Sequence, residues 1–451
     1  MDPHLEQRLL ASIQENRLVL FCGAGLSRSA PSTVPGAADL ALQCATEYES
    51  RAMPIPLPAG SHGDLEALTT FLFTNGLQGF FVSQLVNWRP FRRNPNQGHI
   101  STADLLTCGG AHSAVTTNFD SLIELGAMEL GEDDFQPALD LPSANEPHLH
   151  HPLLKIHGSV EDKHHTLWCP KQLAPPPAAV TPPDQVIQQR LASCTTWLNA
   201  NIVGKDIVFV GFWSDWAYLA PVLASALTGI RASLVVLVDP GAEAFLIAKA
   251  PELWKWAKTA TEFQHVREPG EVFLSELRSS LGRNLMKRVL VQALPGFRAL
   301  HPGASDPSIE FSGLSNDDLY ALRRDICGVP ISKIPRASAP GPGMDGVGRV
   351  HLLLRHAGAT INGPYYNLLD GRRVRIVNGQ TQVLSKVKNE FLNEPARVGG
   401  LSEDIVICAG AYDDGGVATT VVRPSTPPGI IRPGLSAEWM TEQTAVVQHL
   451  I

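Results

Sequence analysis

Five short apolar runs punctuate the first part of the chain, inside "RLVLFC", "HSAVTTNF", "PLLKIHGS", "KDIVFVGFWSDW" and "ASLVVLVDP". They are continuous rather than alternating, the pattern of strands buried on both faces. Between them the spacing turns helical. "PHLEQRLLASIQENR" sets Leu5, Leu9 and Ile13 on one face, and "GAADLALQCATEYES", the region from about 64 to 108, "DSLIELGAMEL", "QVIQQRLASCTTWLNA" and "AYLAPVLASAL" read as further helices. Strand alternating with helix predicts an α/β fold, a Rossmann-like parallel sheet with helices on both faces, over residues 1–285. The pattern then changes. Residues 332–349, "SKIPRASAPGPGMDGVGR", read as a turn-rich linker, and "RVHLLLR", "RRVRIVNG", "DIVICAGA" and "GVATTVVRP" as short β-like runs. Residues 286–451 are therefore expected to form a smaller β-rich domain for oligomerisation, partner binding or regulation.

Composition narrows the class. With 451 residues, 44 % of them hydrophobic, the chain can bury a large core. A net charge of −8 argues against direct binding to nucleic acid. No run reaches the roughly 18 apolar residues that a membrane span needs, and "MDPHLEQRLL" lacks the basic-then-apolar pattern of a signal peptide, so a cytoplasmic protein is expected. The seven cysteines form no C-x-x-C pair, which speaks against a disulfide framework and a four-cysteine zinc site.

The residues with chemistry follow the strands. After the first come Gly23-Ala24-Gly25-Leu26-Ser27-Arg28; after the second, Thr116-Thr117-Asn118-Phe119-Asp120; after the third, Lys155-Ile156-His157-Gly158-Ser159; after the fourth, Gly211-Phe212-Trp213-Ser214-Asp215; after the fifth, Asp239-Pro240. Ligands of open α/β sheets bind at these strand ends, and a glycine turn lets backbone approach a pyrophosphate. Each feature also has a plain reading. Asn118 or Asp120, and Ser214 or Asp215, can cap helices, His157 can be a core histidine, and Arg28 can form a surface ion pair instead of holding phosphate. Trp213 and Trp216 can stack on a base or pack in the core. The cluster His148, His150, His151, His157, His164 and His165 reads as a solvated loop with one member recruited for catalysis, and no metal is expected.

The ordered set GAG-x-S, T-x-N-x-D, K-x-HGS, G-x-x-S and a strand ending in Val-Asp resembles the silent-information-regulator-two (sirtuin) superfamily. More closely, it resembles the sirtuin-like NAD-consuming effectors of bacterial anti-phage defence. "NQGHISTADLL" fits their histidine at the start of the helix before the second strand. The resemblance implies that Gly23, Ala24, Gly25 and Ser27 hold pyrophosphate and ribose, with Arg28 and Thr117 beside them. It implies that Asn118 places an attacking water, that Asp120 lines the nicotinamide and ribose pocket, and that His157 is the general base. Gly211, Ser214 and Asp215 would contact phosphate or ribose, and Asp239 the adenosine ribose. The Asp-Phe-Arg segment and paired cysteines of the deacylases are absent, so water is the expected acceptor. NAD+ is then a substrate, hydrolysed to ADP-ribose and nicotinamide, and no zinc is expected. The alternatives are a non-catalytic NAD or ADP-ribose sensor, and a protein deacylase or ADP-ribosyltransferase. The resemblance further implies restraint by homo-oligomer assembly or by a partner, a HerA-type ATPase or a short Argonaute with its guide. The short C-terminal region favours the former or self-assembly.

Overall fold

A computed structural model describes residues 1–132, 134–146, 151–175, 182–214, 232–328, 340–341, 343–393, 403–413 and 437–451. The chain divides into two compact units, Met1–Glu276 and Leu277–Ile451.

The first unit is built on six parallel strands: β1 (Leu18–Cys22), β2 (Ser113–Thr116), β3 (Leu153–Lys155), β4 (Asp206–Val210), β5 (Leu234–Val238) and β6 (Glu262–Val266), in the order β3-β2-β1-β4-β5-β6. Every residue of β1 to β5 is buried, which explains their continuous apolar runs. The sixth strand, "EFQHV", was not expected. It is an edge strand with every residue half-buried, so it carries no apolar run to betray it. The order reverses at β1, which pairs with β2 on one side and β4 on the other. That reversal opens a crevice beyond the carboxyl ends of the two central neighbours.

The helices Pro3–Gln14, Ala37–Ser50, Leu122–Glu129 and Gln185–Asn201 lie where the spacing predicts them. The stretch from 64 to 108 is less uniform than expected. Helix Leu65–Thr74 gives way to a short turn and a wide π-turn at Phe81–Leu85, and the next long helix starts only at Gln97. The helix expected at "AYLAPVLASAL" lies outside the described residues.

The second unit holds a separate five-stranded mixed sheet: β7 (Thr360–Asn362), β8 (Tyr365–Asn367), β9 (Arg373–Asn378), β10 (Ile405–Ala409) and β11 (Glu438–Thr441), ordered β11-β10-β9-β8-β7. Strands β9 to β11 are parallel, and β7 and β8 form an antiparallel hairpin beside them. Two expectations are corrected here. "RVHLLLR" is not a strand. It belongs to helix Met344–His356, where Met344, Val347, His351 and Leu354 share a buried face at helical spacing. The linker expected at 332–349 therefore ends in helix from Met344 onward. "GVATTVVRP" lies outside the described residues.

Candidate active site

The glycine turn after β1 is fitted to the turn after β4. Gly23 N–H donates to the Val210 carbonyl (3.0 Å) and Gly25 N–H to the Gly211 carbonyl (2.9 Å). A side chain on Gly25 would place its Cβ 2.7 Å from Gly211 Cα, and Gly211 itself has φ +61°, a left-handed conformation that favours glycine. Asn96 fixes the turn from the other side, its amide Nδ2 donating to the Leu26 carbonyl (2.7 Å) while its Oδ1 caps helix Gln97–Thr107.

The turn delivers Ser27 into a buried polar network. Ser27 is 1 % exposed, and its Oγ donates to Asp120 Oδ2 (2.9 Å) and accepts from Asn118 Nδ2 (3.1 Å). The third neighbour is His99 Nε2 at 3.0 Å. His99 Nδ1 accepts the Asn96 main-chain N–H (3.2 Å), so the proton of the neutral ring sits on Nε2 and is donated to Ser27. Burial holds His99 neutral, its pKa pushed down to about 3. The hydroxyl then spends one donor and two acceptors, all it has. Asn118 is oriented by the same logic. Its Nδ2 also donates to the Gly23 carbonyl (3.1 Å), so both amide protons are engaged and Oδ1 is the atom left to meet a ligand. Burial raises the pKa of Asp120, opposed first by the Lys155 charge and then by Ser27. Its Oδ1 also accepts from Leu122 N–H (3.3 Å), the first residue of the helix, so the carboxyl holds the turn into the helix and serves the network at once.

His157 stands at the end of β3, 8 % exposed. Burial and the nearby Arg190 guanidinium lower its pKa to about 4, against a hydrogen bond to the Thr117 main chain. Arg190 is threaded through main-chain carbonyls, donating to Ile156 (3.1 Å) and His165 (2.5 Å), and so fixes the loop around the histidine. A ring that is neutral near pH 7 can accept a proton.

Asn118, Asp120, His157, Thr117, Ser27 and Ala24 all line one cavity of about 590 Å³. Phe91, Phe119 and Trp168 are apolar residues among its lining. Phe119 and Trp168 lie 4.5 Å apart between ring centroids. The cavity occupies the ends of β1, β2 and β3. Gly211 and Ser214 follow β4 and Asp239 follows β5, on the opposite side of β1, so the candidate residues flank the point where the strand order reverses. Asp239 Oδ1 accepts the Gly241 N–H (2.7 Å). Asp215 and Trp216 lie outside the described residues.

Arg28 is ion-paired with Asp39 at the surface (2.9 Å), and Trp213 is core, 2 % exposed with its Nε1 bonded to the Leu246 carbonyl. Among the described residues no group of three or more His, Cys, Asp or Glu is placed to hold a metal, and His148 and His150 lie outside them. Likewise, no helix among them is long and apolar enough to cross a membrane. All seven cysteines are buried. Sequence reasoning noted His99 without a role and missed Asn96, Glu124 and Arg190. The N-x-x-H spacing of a cap was the available sign for Asn96 and His99.

No protein-family model and no curated protein matches this chain. Among solved structures it is similar to a Sir2–p53 peptide–NAD+ complex, at 14 % identity and a TM-score of 0.33 over 60 % of this chain and 96 % of that one. A Sir2 homologue–NAD complex aligns at 14 % identity and TM-score 0.32, over 60 % of this chain and 91 % of that one. A Sir2 homologue variant with ADP-ribose aligns at 15 % and 0.33, over 61 % and 95 %.

Proposed function

We propose that the first unit binds NAD+ across the crevice at β1 and hydrolyses it to nicotinamide and ADP-ribose. One observation carries this reading: an amide with its carbonyl oxygen left to the ligand (Asn118), a buried carboxyl (Asp120) and a neutral histidine (His157) converge on one cavity beside a glycine turn. The residues fit the ligand. The cavity has the size of a small-molecule site, and the Gly25 position leaves room for no side chain at the point where β1 and β4 meet. When bound, NAD+ supplies a glycosidic bond to a cationic leaving group, nicotinamide. Asn118 Oδ1 holds the incoming water by accepting a hydrogen bond from it. His157, neutral at working pH, takes up the proton that hydrolysis releases. Phe91, Phe119 and Trp168 exclude bulk water from the nicotinamide side.

The order of motifs supports a wider reading in which the enzyme is a triggered NAD-depleting effector of anti-phage defence, restrained by self-assembly or by a HerA-type ATPase. The test is nicotinamide release from NAD+ by the purified protein, alone and with the product of the neighbouring gene. Release that is lost in His157→Ala, in a variant whose circular dichroism matches wild type, is the expected result. Equal release by wild type and variant would overturn the assignment. Binding of NAD+ without release in either setting would make the protein a sensor instead.

A further inference from the structure

We infer that Lys155 is a positioning residue, which ties the turn carrying Asn118 and Asp120 to the strand end carrying His157 and sets the electrostatics of both. The inference deepens the proposed reaction and rests on it for its kinetic readout.

Lys155 is the last residue of β3, two before His157, and is 1 % exposed. An ammonium so deeply buried must be compensated. Its Nζ donates to the main-chain carbonyl of Asp120 and to Glu124 Oε1 (2.6 Å). One side chain therefore fastens β3 to the turn after β2 and to the helix that follows. Two main-chain bonds complete the join, Ile156 N–H to the Thr116 carbonyl (3.0 Å) and Val160 N–H to the Phe119 carbonyl (2.6 Å). Neither of those holds Asp120 itself; Lys155 does.

The charges at this point do not cancel. Lys155 is one cation between the buried Asp120 carboxyl and the partly buried Glu124 carboxyl, and desolvation raises the pKa of both. Lys155 meets the Glu124 carboxylate directly but touches Asp120 only through its main chain, so its help to the Asp120 carboxylate is through space. The other groups facing this carboxyl are Ser27, which donates to it, Asn118, the buried Cys22 thiol and, through Ser27, the neutral His99. None of them is a cation. Glu124 and Asp120 therefore compete for one positive charge, and removing either Lys155 or Glu124 must move the site in opposite directions.

That opposition is the test. Lys155→Met and Glu124→Gln are compared with wild type in nicotinamide release and in thermal unfolding, each from about pH 3 to about pH 8. Lys155→Met is expected to shift the acid limb of release up by roughly one pH unit and to lower kcat about tenfold or more with KM little changed. Glu124→Gln is expected to shift the limb down. The unfolding series needs no turnover. A carboxyl whose folded pKa is raised contributes stability that is lost as pH rises through that pKa. Relative to wild type, Lys155→Met should therefore make the slope of Tm against pH more negative, and Glu124→Gln should make it more positive. If Lys155→Met does not fold, Glu124→Gln carries the test alone. Wild-type slopes in both variants, or shifts of the same sign, would overturn the inference. Absence of release from wild type with opposite unfolding slopes would instead overturn the proposed reaction and leave the role of Lys155 standing.

Discussion

Gly25→Ala tests whether the glycine turn is as tightly seated as the geometry shows. The added Cβ would lie 2.7 Å from Gly211 Cα and 2.9 Å from its carbonyl oxygen. Both are backbone atoms that cannot rotate away, so the turn must retreat from β4 by most of an ångström. The retreat gives up the bond from Gly25 N–H to the Gly211 carbonyl, now 2.9 Å. Overpacking costs about 1–3 kcal/mol and the lost hydrogen bond about 0.5–1.5 kcal/mol, together roughly 2–4 kcal/mol. In a unit of this size that is a fall in Tm of roughly 3–8 °C. The same movement displaces Ser27, and with it the orientation of Asn118, so ADP-ribose affinity measured by calorimetry should fall at least about tenfold. Gly79→Ala is the control. Nothing lies within 4 Å of its Cβ position, the residue is helical, and the substitution should be neutral or stabilise by up to about 1 kcal/mol. Wild-type Tm and wild-type ADP-ribose affinity in Gly25→Ala would refute the reasoning, because the two turns could not then be in contact.

Three further outcomes are expected. The kcat/KM for nicotinamide release should be flat through neutral pH and fall on the acid side through about pH 4, where His157 protonates; a limb near the ordinary histidine value of 6.5 would show the ring to be solvated. Stability should drop in acid. His99, His157 and His351 have folded pKa values lowered by burial to about 3, about 4 and about 3, so each contributes stability that is present above pH 6.5 and lost as pH falls, at up to about 1.4 kcal/mol per pH unit. Urea titrations at stepped pH measure this. In the second unit Arg375 makes a buried two-bond pair with Asp325 (2.6 and 3.1 Å), and Glu403 lies 3.7 Å away. Asp325→Ala should cost that unit about 3–5 kcal/mol by thermal unfolding, far more than a surface pair would.

The parts of the fold that can be read from sequence are those where burial is uniform. "LVLFC" and "VVLV" are legible because both faces of β1 and β5 are covered. β6 is not, because a half-buried edge strand can afford Glu262, Gln264 and His265. "RVHLLLR" misleads because three consecutive leucines resemble a strand locally, whereas the spacing from Met344 through Val347, His351 and Leu354 reveals the helix only when read over its full length. At the site, glycines, asparagine and histidine after strands mark themselves by type and place. Lys155 and Glu124 do not. A lysine at a strand end and a glutamate in a helix are ordinary until the fold buries them against each other. The orientation of Asn118 is likewise a tertiary fact, since it depends on acceptors at Gly23 and Ser27, far off in the chain.

The central place of β1 has a consequence for how the chain comes into being. Val19 pairs with Ser113 on one side and with Ile207 on the other. On a ribosome the second neighbour of this strand, β4, emerges only after the whole of the intervening segment from Gly23 to Lys205 has been synthesised. At ordinary elongation rates the interval is on the order of ten seconds or more. Until β4 is available, five residues destined for the middle of a sheet keep at least one edge unpaired and one set of apolar side chains uncovered. A nascent chain of this design depends on something to shield that segment, and its yield in a cell should respond to chaperone supply more than its final stability would suggest.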